Sequence, residues 1–177
     1  MKQELDDRLV KTFPLTYADR HKDKTVTCMC WGFNVSEGWL SIVEDLSQKL
    51  ETLIQEWLTK NPDKEHPRVA QVKEKFGLLR VYLDYYDSKR DGDPTVAAMW
   101  SAINEAAAVS AKTCEWCGSP GVFRSEKMPW KKTFCDDHYA LWLSGKRPWV
   151  DTNKEFPKEI DDLKSILKSI PKEKPAS

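Results

Sequence analysis

The stretch Cys114-Glu115-Trp116-Cys117-Gly118, followed after sixteen residues by Cys135-Asp136-Asp137-His138, decides how this chain is read. Two residues between the members of each pair bring both side chains within reach of one ion. A linker of this length matches the zinc patterns of small finger modules. Gly118 permits a tight knuckle that turns amide N–H groups toward the thiolates. Gly121 to Glu126 and Lys131 to Phe134 read as a hairpin, and Asp136 to Leu143 as a helix whose first turn carries Cys135 and His138. Knuckle, hairpin and two ligands from a helix start make a treble-clef-like finger over residues 113–150. Cys114, Cys117, Cys135 and His138 are the expected ligands of one zinc ion per chain. Four protein ligands leave no position for water or substrate, so the expected role is structural. His-Glu-x-x-His and His-x-Glu with Pro-Cys-x-x-Cys, two patterns of zinc catalysis, do not occur.

Upstream, residues 25–112 read as an α+β body. Thr25 to Phe33 alternates, with Val26, Cys28 and Cys30 on one side and Thr25, Thr27, Met29 and Trp31 on the other, which predicts a strand. Ser36 is placed to cap a helix carrying Trp39, Val43, Leu46, Leu50, Leu53, Ile54, Trp57 and Leu58 in steps of three and four. That helix stops at Asn61-Pro62. Arg68 to Lys75 and Leu78 to Tyr86 flank Phe76-Gly77 and predict an antiparallel hairpin, although Val69, Val72 and Phe76 would also suit a helix. Asp93 caps a further helix with Pro94 at its first position, its inner stripe being Val96, Met99, Trp100, Ile103, Ala106, Ala107 and Ser110. The expected order is β-α-β-β-α, a small antiparallel sheet packed by two helices. Residues 1–24, with Leu9, Val10, Phe13, Leu15 and Tyr17 as apolar anchors, read as an N-terminal arm, either a short helix or irregular. A C-terminal amphipathic helix within 151–170 and a disordered Pro/Lys-rich tail at 171–177 complete the plan.

The 177 residues suit one domain with a small appendage. Size scaling implies that roughly 70% of the unfolded surface is buried on folding. Hydrophobic residues at 40% and eight Trp exclude a disordered chain. No apolar run approaches the ~18 residues of a membrane span. Met1 to Asp7 has no apolar signal core, so a cytoplasmic protein is expected. Five Cys, an odd count, favour metal or free thiols over disulfides. Lys and Arg number 28 against 28 Asp and Glu, which excludes a strongly basic nucleic-acid binder and a strongly acidic nucleic-acid mimic. A local patch remains open, because residues 60–90 carry eight basic residues against five acidic.

Several clusters are candidate sites. Lys73 and Lys75 share a strand face that Arg80 joins across the turn, with Tyr82 and Tyr86 beside Arg80. This pattern reads as an anion contact, a base-stacking surface, an interface for an acidic partner, or a solvated sheet face. Trp116, Trp130, Trp142 and Trp149 crowd the finger; most are expected to pack it onto the body, and Trp116 and Trp130 are the candidate interface anchors. Lys131-Lys132 and Lys146-Arg147 add basic pairs there. Cys28 and Cys30 read either as two small buried side chains, or as a redox pair or half of a second metal site with His21. Asp19, His21 and Cys30 are the sole polar nucleus an enzyme reading offers. No Gly-rich phosphate loop or Gly-x-Ser-x-Gly occurs, so no enzyme is expected.

Cys28-Met29-Cys30-Trp31-Gly32-Phe33, Glu37-Gly38-Trp39, Gln71-Val72-Lys73-Glu74-Lys75-Phe76-Gly77, Leu79-Arg80 and the two ligand pairs occur together over about residues 17–140. In combination they resemble a widespread family of small, uncharacterised bacterial and bacteriophage proteins with a C-terminal zinc finger. The family has Cys-Gly-Asp-Gly-Trp where this chain reads Val35-Ser36-Glu37-Gly38-Trp39, so its thiol before the helix is missing here. The resemblance implies a phage or mobile-element setting in a bacterial cytoplasm, and supplies no reaction. The expected function is non-enzymatic protein binding, directed at a host defence protein, with Lys73, Lys75, Arg80, Tyr82, Trp116 and Trp130 as contacts. The alternative is a nucleic-acid-binding accessory protein using the finger and the basic hairpin.

Overall fold

Helix α2 (Leu40–Lys60) and helix α3 (Pro94–Ser110) carry most of the apolar periodicity, and their inner faces meet in the core. The computed structural model describes residues 1–85 and 93–145. Leu50, Ile54, Trp57 and Met99 are sealed from solvent between these helices and the hairpin β1 (Arg68–Lys75) and β2 (Leu78–Asp84). Burying each such side chain stabilises the fold by about 1.5–3 kcal/mol. Asp93 accepts the Thr95 amide at 2.8 Å with Pro94 opening α3, as expected. Trp100 departs from the expected stripe, lying 39% exposed, while Ala102 takes an inner position.

The hairpin is antiparallel, with Val72 opposite Val81 and Lys73 opposite Arg80. The open choice for Arg68–Lys75 falls to a strand, with a bulge between Val69 and Gln71. Its inner face buries Val72, Leu79 and Val81. A second hairpin, β3 (Val122–Arg124) and β4 (Lys132–Phe134), leads into α4 (Asp136–Leu143). These elements enclose their own cluster of Trp116, Phe134, Leu141 and Trp142. The architecture is thus α+β with two small antiparallel sheets.

The strand expected at Thr25–Phe33 does not form. Cys28–Trp31 is a turn of 3-10 helix, because the Thr27 hydroxyl accepts the Met29 amide at 3.1 Å and competes with any ladder. Gly32 then closes the turn onto the Met29 carbonyl at 2.8 Å. Asn34 meets the sheet in an isolated parallel bridge to Lys73, and the Thr27 hydroxyl donates to the Ala70 carbonyl of β1 at 3.3 Å. Met29 is fully buried, whereas Trp31 is 74% exposed, so the alternation carried no face information here. The order is therefore α-α-β-β-α before the second hairpin, and not β-α-β-β-α. Ser36 makes no side-chain cap; it precedes a 3-10 turn, Glu37–Trp39, and α2 starts at Leu40.

Of the two alternatives for residues 1–24, the short helix forms. Helix α1 (Gln3–Thr12) and the turns after it place Leu9, Phe13 and Tyr17 in the main core. Glu51 on α2 accepts the Leu15 and Thr16 amides at 3.0 and 2.8 Å, and the Thr16 hydroxyl at 2.6 Å. Buried Asp6 takes two hydrogen bonds from Arg20, at 2.8 and 3.1 Å. Arg20 also donates to the Cys30 carbonyl at 3.1 Å, clasping the 3-10 turn to the helix. The expected C-terminal helix, the tail, Tyr86, Trp149 and the pair Lys146-Arg147 lie outside the described residues.

Candidate metal centre and the adjoining surface

Cys114 and Cys117 stand on the turn after α3, and Cys135 is the residue at the N-cap of α4. His138 follows one turn later, so its ring faces back to the thiols. The four donor atoms lie within 4.8 Å of one another. Cys117 and Cys135 sulfurs are 3.8 Å apart, and His138 Nδ1 is 3.3 Å from Cys114 and 3.2 Å from Cys135. Two thiolates bound tetrahedrally to zinc at ~2.3 Å would sit about 3.8 Å apart, and a thiolate and an imidazole about 3.5 Å. The arrangement fits such an ion to within a few tenths of an ångström. Among the described residues it is the one group of three or more His, Cys, Asp or Glu side chains able to hold a metal.

Burial by itself works against the thiolate form at two of the three cysteines. Burial pushes the Cys114 thiol up, while amides of Cys135, Cys117 and Trp116 pull the other way. Burial pushes Cys135 up to about 12, partly offset by the His138 amide. At Cys117 burial also acts upward, but the hydroxyl and amide of Ser119 outweigh it and hold the thiol below its ordinary value. Burial lowers His138, which keeps its ring neutral and able to donate a lone pair. A bound cation would supply the charge that makes all three thiolates favourable.

Several hydrogen bonds and an ion pair join the unit to the body. The Gly38 amide donates to the Glu115 carbonyl at 3.0 Å. A side chain at Gly38 would run into the Cys114 carbonyl and the Cys117 and Gly118 amides, the last two at 2.6 Å. Fully buried Trp39 donates its indole N–H to the Thr113 carbonyl at 2.8 Å. At the hairpin tip, Lys132 bridges Glu74 at 2.8 Å and Glu115 at 2.9 Å. Burial raises the Glu115 carboxyl to about 7, against the opposing pull of Lys132. Sequence reasoning did not find this triad, since nothing in the spacing of Glu74, Glu115 and Lys132 brings them together.

The candidate contact residues separate into two groups. Lys73, Lys75, Arg80 and Tyr82 all lie on the outward face of β1 and β2. The Lys73 ammonium sits over the Tyr82 ring, 5.0 Å from its centroid. Trp130 is 65% exposed, as an interface residue needs to be. Trp116 is not available: it is 8% exposed and packs on Phe134, His138 and Trp142. Its large ring fills the small core that the metal unit has for itself.

The other clusters are also resolved. Asp19 is buried and pairs with Arg68 and Lys22, both at 2.7 Å, while His21 is exposed. Cys28 is exposed rather than buried, and Cys30 is half-buried. Together with His21 they form no metal-ligating cluster, because the 3-10 turn replaces the strand that was to align them. Among the described residues no helix is long and apolar enough to cross a membrane. No family model, curated protein or solved structure matches the chain.

Proposed function

We propose that this chain is a non-enzymatic binding module whose finger is stabilised by one structural zinc ion. The observation that carries the reading is the outward hairpin face, where Lys73, Lys75 and Arg80 stand with exposed Tyr82. Arg8, Arg20, Arg68 and Arg124 all make ion pairs, whereas Arg80 has none among the described residues. An arginine left unpaired beside an aromatic ring suits a partner that brings its own carboxylates. Three thiols and one imidazole favour zinc over hard, oxygen-seeking cations. The path from the knuckle through β3, β4 and α4 supports a treble-clef-like assignment for the finger. The partner proposed is a protein, and the motif resemblance favours a bacterial host protein of a defence system, met in the cytoplasm by a phage-encoded chain.

The second reading is a nucleic-acid-binding accessory protein. Exposed aromatic rings beside cations favour it. The zero net charge weighs against it, since non-specific affinity comes from phosphate neutralisation. The test is a tagged pull-down from bacterial lysate with and without nuclease, using the native chain and Lys73→Glu with Arg80→Glu. A stoichiometric protein that survives nuclease and is lost in the double variant supports the first reading. Retention that disappears with nuclease moves the second reading to first place.

A further inference from the structure

The tip of the first hairpin carries an unusual residue for its position. Phe76 and Gly77 both have positive φ, 56° and 74°, the conformation of a two-residue type I′ turn. Asn-Gly is the sequence such a turn favours, and a bulky residue at its first position is strained. The strain is not offset by burial. Phe76 is 59% exposed and belongs to neither hydrophobic cluster. Its ring instead lies under two ammonium groups, Lys75 at 5.5 Å from one strand and Lys131 at 5.8 Å from the docked metal unit. Exposed Trp130 precedes Lys131 in the chain. Neither Lys75 nor Lys131 has a carboxylate partner among the described residues, because the neighbouring Glu74 is held inward by Lys132.

We infer that Phe76 is the anchor of the binding face, and that its occupant is an acidic protein surface offering carboxylates around an apolar recess. This rests on the binding reading above and names the partner's chemistry. The charge balance selects a protein over a nucleic acid, since a chain of zero net charge lacks the cationic excess from which non-specific phosphate affinity comes. The ammonium groups beside the rings of Phe76 and Tyr82 are already in place to meet carboxylates. An acidic surface meets them directly: its carboxylates pair with Lys73, Lys75, Arg80 and Lys131 while the exposed Phe76 ring enters the recess. The site is composite, since the hairpin gives the ring and the metal unit gives Lys131.

The test compares the full native chain with Phe76→Asn and Arg80→Glu. Thermal unfolding is measured, together with anisotropy titrations of a fluorescein-labelled glutamate–tyrosine copolymer and of labelled oligo(dT). Phe76→Asn is expected to melt higher than the native chain and to bind the copolymer about tenfold or more weakly. Oligo(dT) is expected to bind the native chain more weakly than the copolymer. A lower melting point for Phe76→Asn would show that the ring props the fold, and would overturn the anchor role. If Arg80→Glu weakens copolymer binding and Phe76→Asn does not, the anchor falls and the binding face stands. If neither variant changes binding, both fall. Absent copolymer binding by the native chain, or tighter binding of oligo(dT), overturns the acidic-protein assignment.

Discussion

The Thr133 hydroxyl donates to the Gly77 carbonyl at 2.6 Å, in a buried bond between residues 56 positions apart in sequence. It fixes the second strand of the metal unit to the tip of the first hairpin. Lys132, next to Thr133, adds the bridge to Glu74 and Glu115. The position of Lys131 over Phe76 follows from these bonds. The metal site and the proposed binding face therefore share these bonds, and loss of the metal is expected to release Lys131 from Phe76.

Lys132→Met tests the bridge. The change leaves Glu74 and Glu115 without their shared cation, and breaking a buried pair on one side costs about 3–5 kcal/mol. Glu74 is 20% exposed, so the lower end of that range is expected in urea denaturation. Adding Glu115→Gln should restore part of the loss. Equal stability of Lys132→Met and the native chain would mean that the triad does not hold the units together.

Gly38→Ala tests the close approach. The added methyl group has backbone of Cys114, Cys117 and Gly118 in its way, none of which can swing aside. Overpacking of this kind costs about 1–3 kcal/mol. The same variant should bind metal more weakly in a competitive chelator titration, because the obstruction falls on the knuckle itself. Unchanged stability and unchanged metal affinity would show that the finger docks elsewhere.

Tyr17 gives a pH dependence. Burial raises its hydroxyl above the ordinary value of 10.0, and the hydrogen bond with Ser47 only partly counters this. Folding thus favours the neutral form. The stability this confers is complete below about pH 10 and is lost as the pH rises toward the raised folded value. Tyr17→Phe should cost about 1 kcal/mol at neutral pH, through the lost hydrogen bond, and should flatten the decline between about pH 10 and 12. Denaturant midpoints across that window measure both effects. A parallel decline in the two proteins would rule out Tyr17 as the source.

The metal quartet was legible because its geometry is local to two short pairs, and a pair spacing constrains where side chains point whatever the rest of the chain does. The first hairpin was legible for the same reason, with Phe76-Gly77 marking the turn. Thr25–Phe33 was not. Its alternation was real, but the Thr27 hydroxyl and the Asp6–Arg20 clasp decide its conformation, and the second is a contact between distant residues. The short helix of the N-terminal segment was legible, but its packing was not, because its polar residues find buried partners on other elements, Arg68 for Asp19 and Glu51 for Thr16. Trp116 was read as a contact because composition counts tryptophans without showing which one fills a small core. The strain at Phe76 was also out of reach, since it depends on the register of the turn.

Zinc K-edge X-ray absorption on the purified native chain, with no metal added after expression, tests the central claim most directly. The account predicts one zinc per chain with three sulfur scatterers at about 2.3 Å and one nitrogen at about 2.0–2.1 Å. A chain that carries no stoichiometric metal, or a zinc shell rich in oxygen, would contradict a finger closed by Cys114, Cys117, Cys135 and His138.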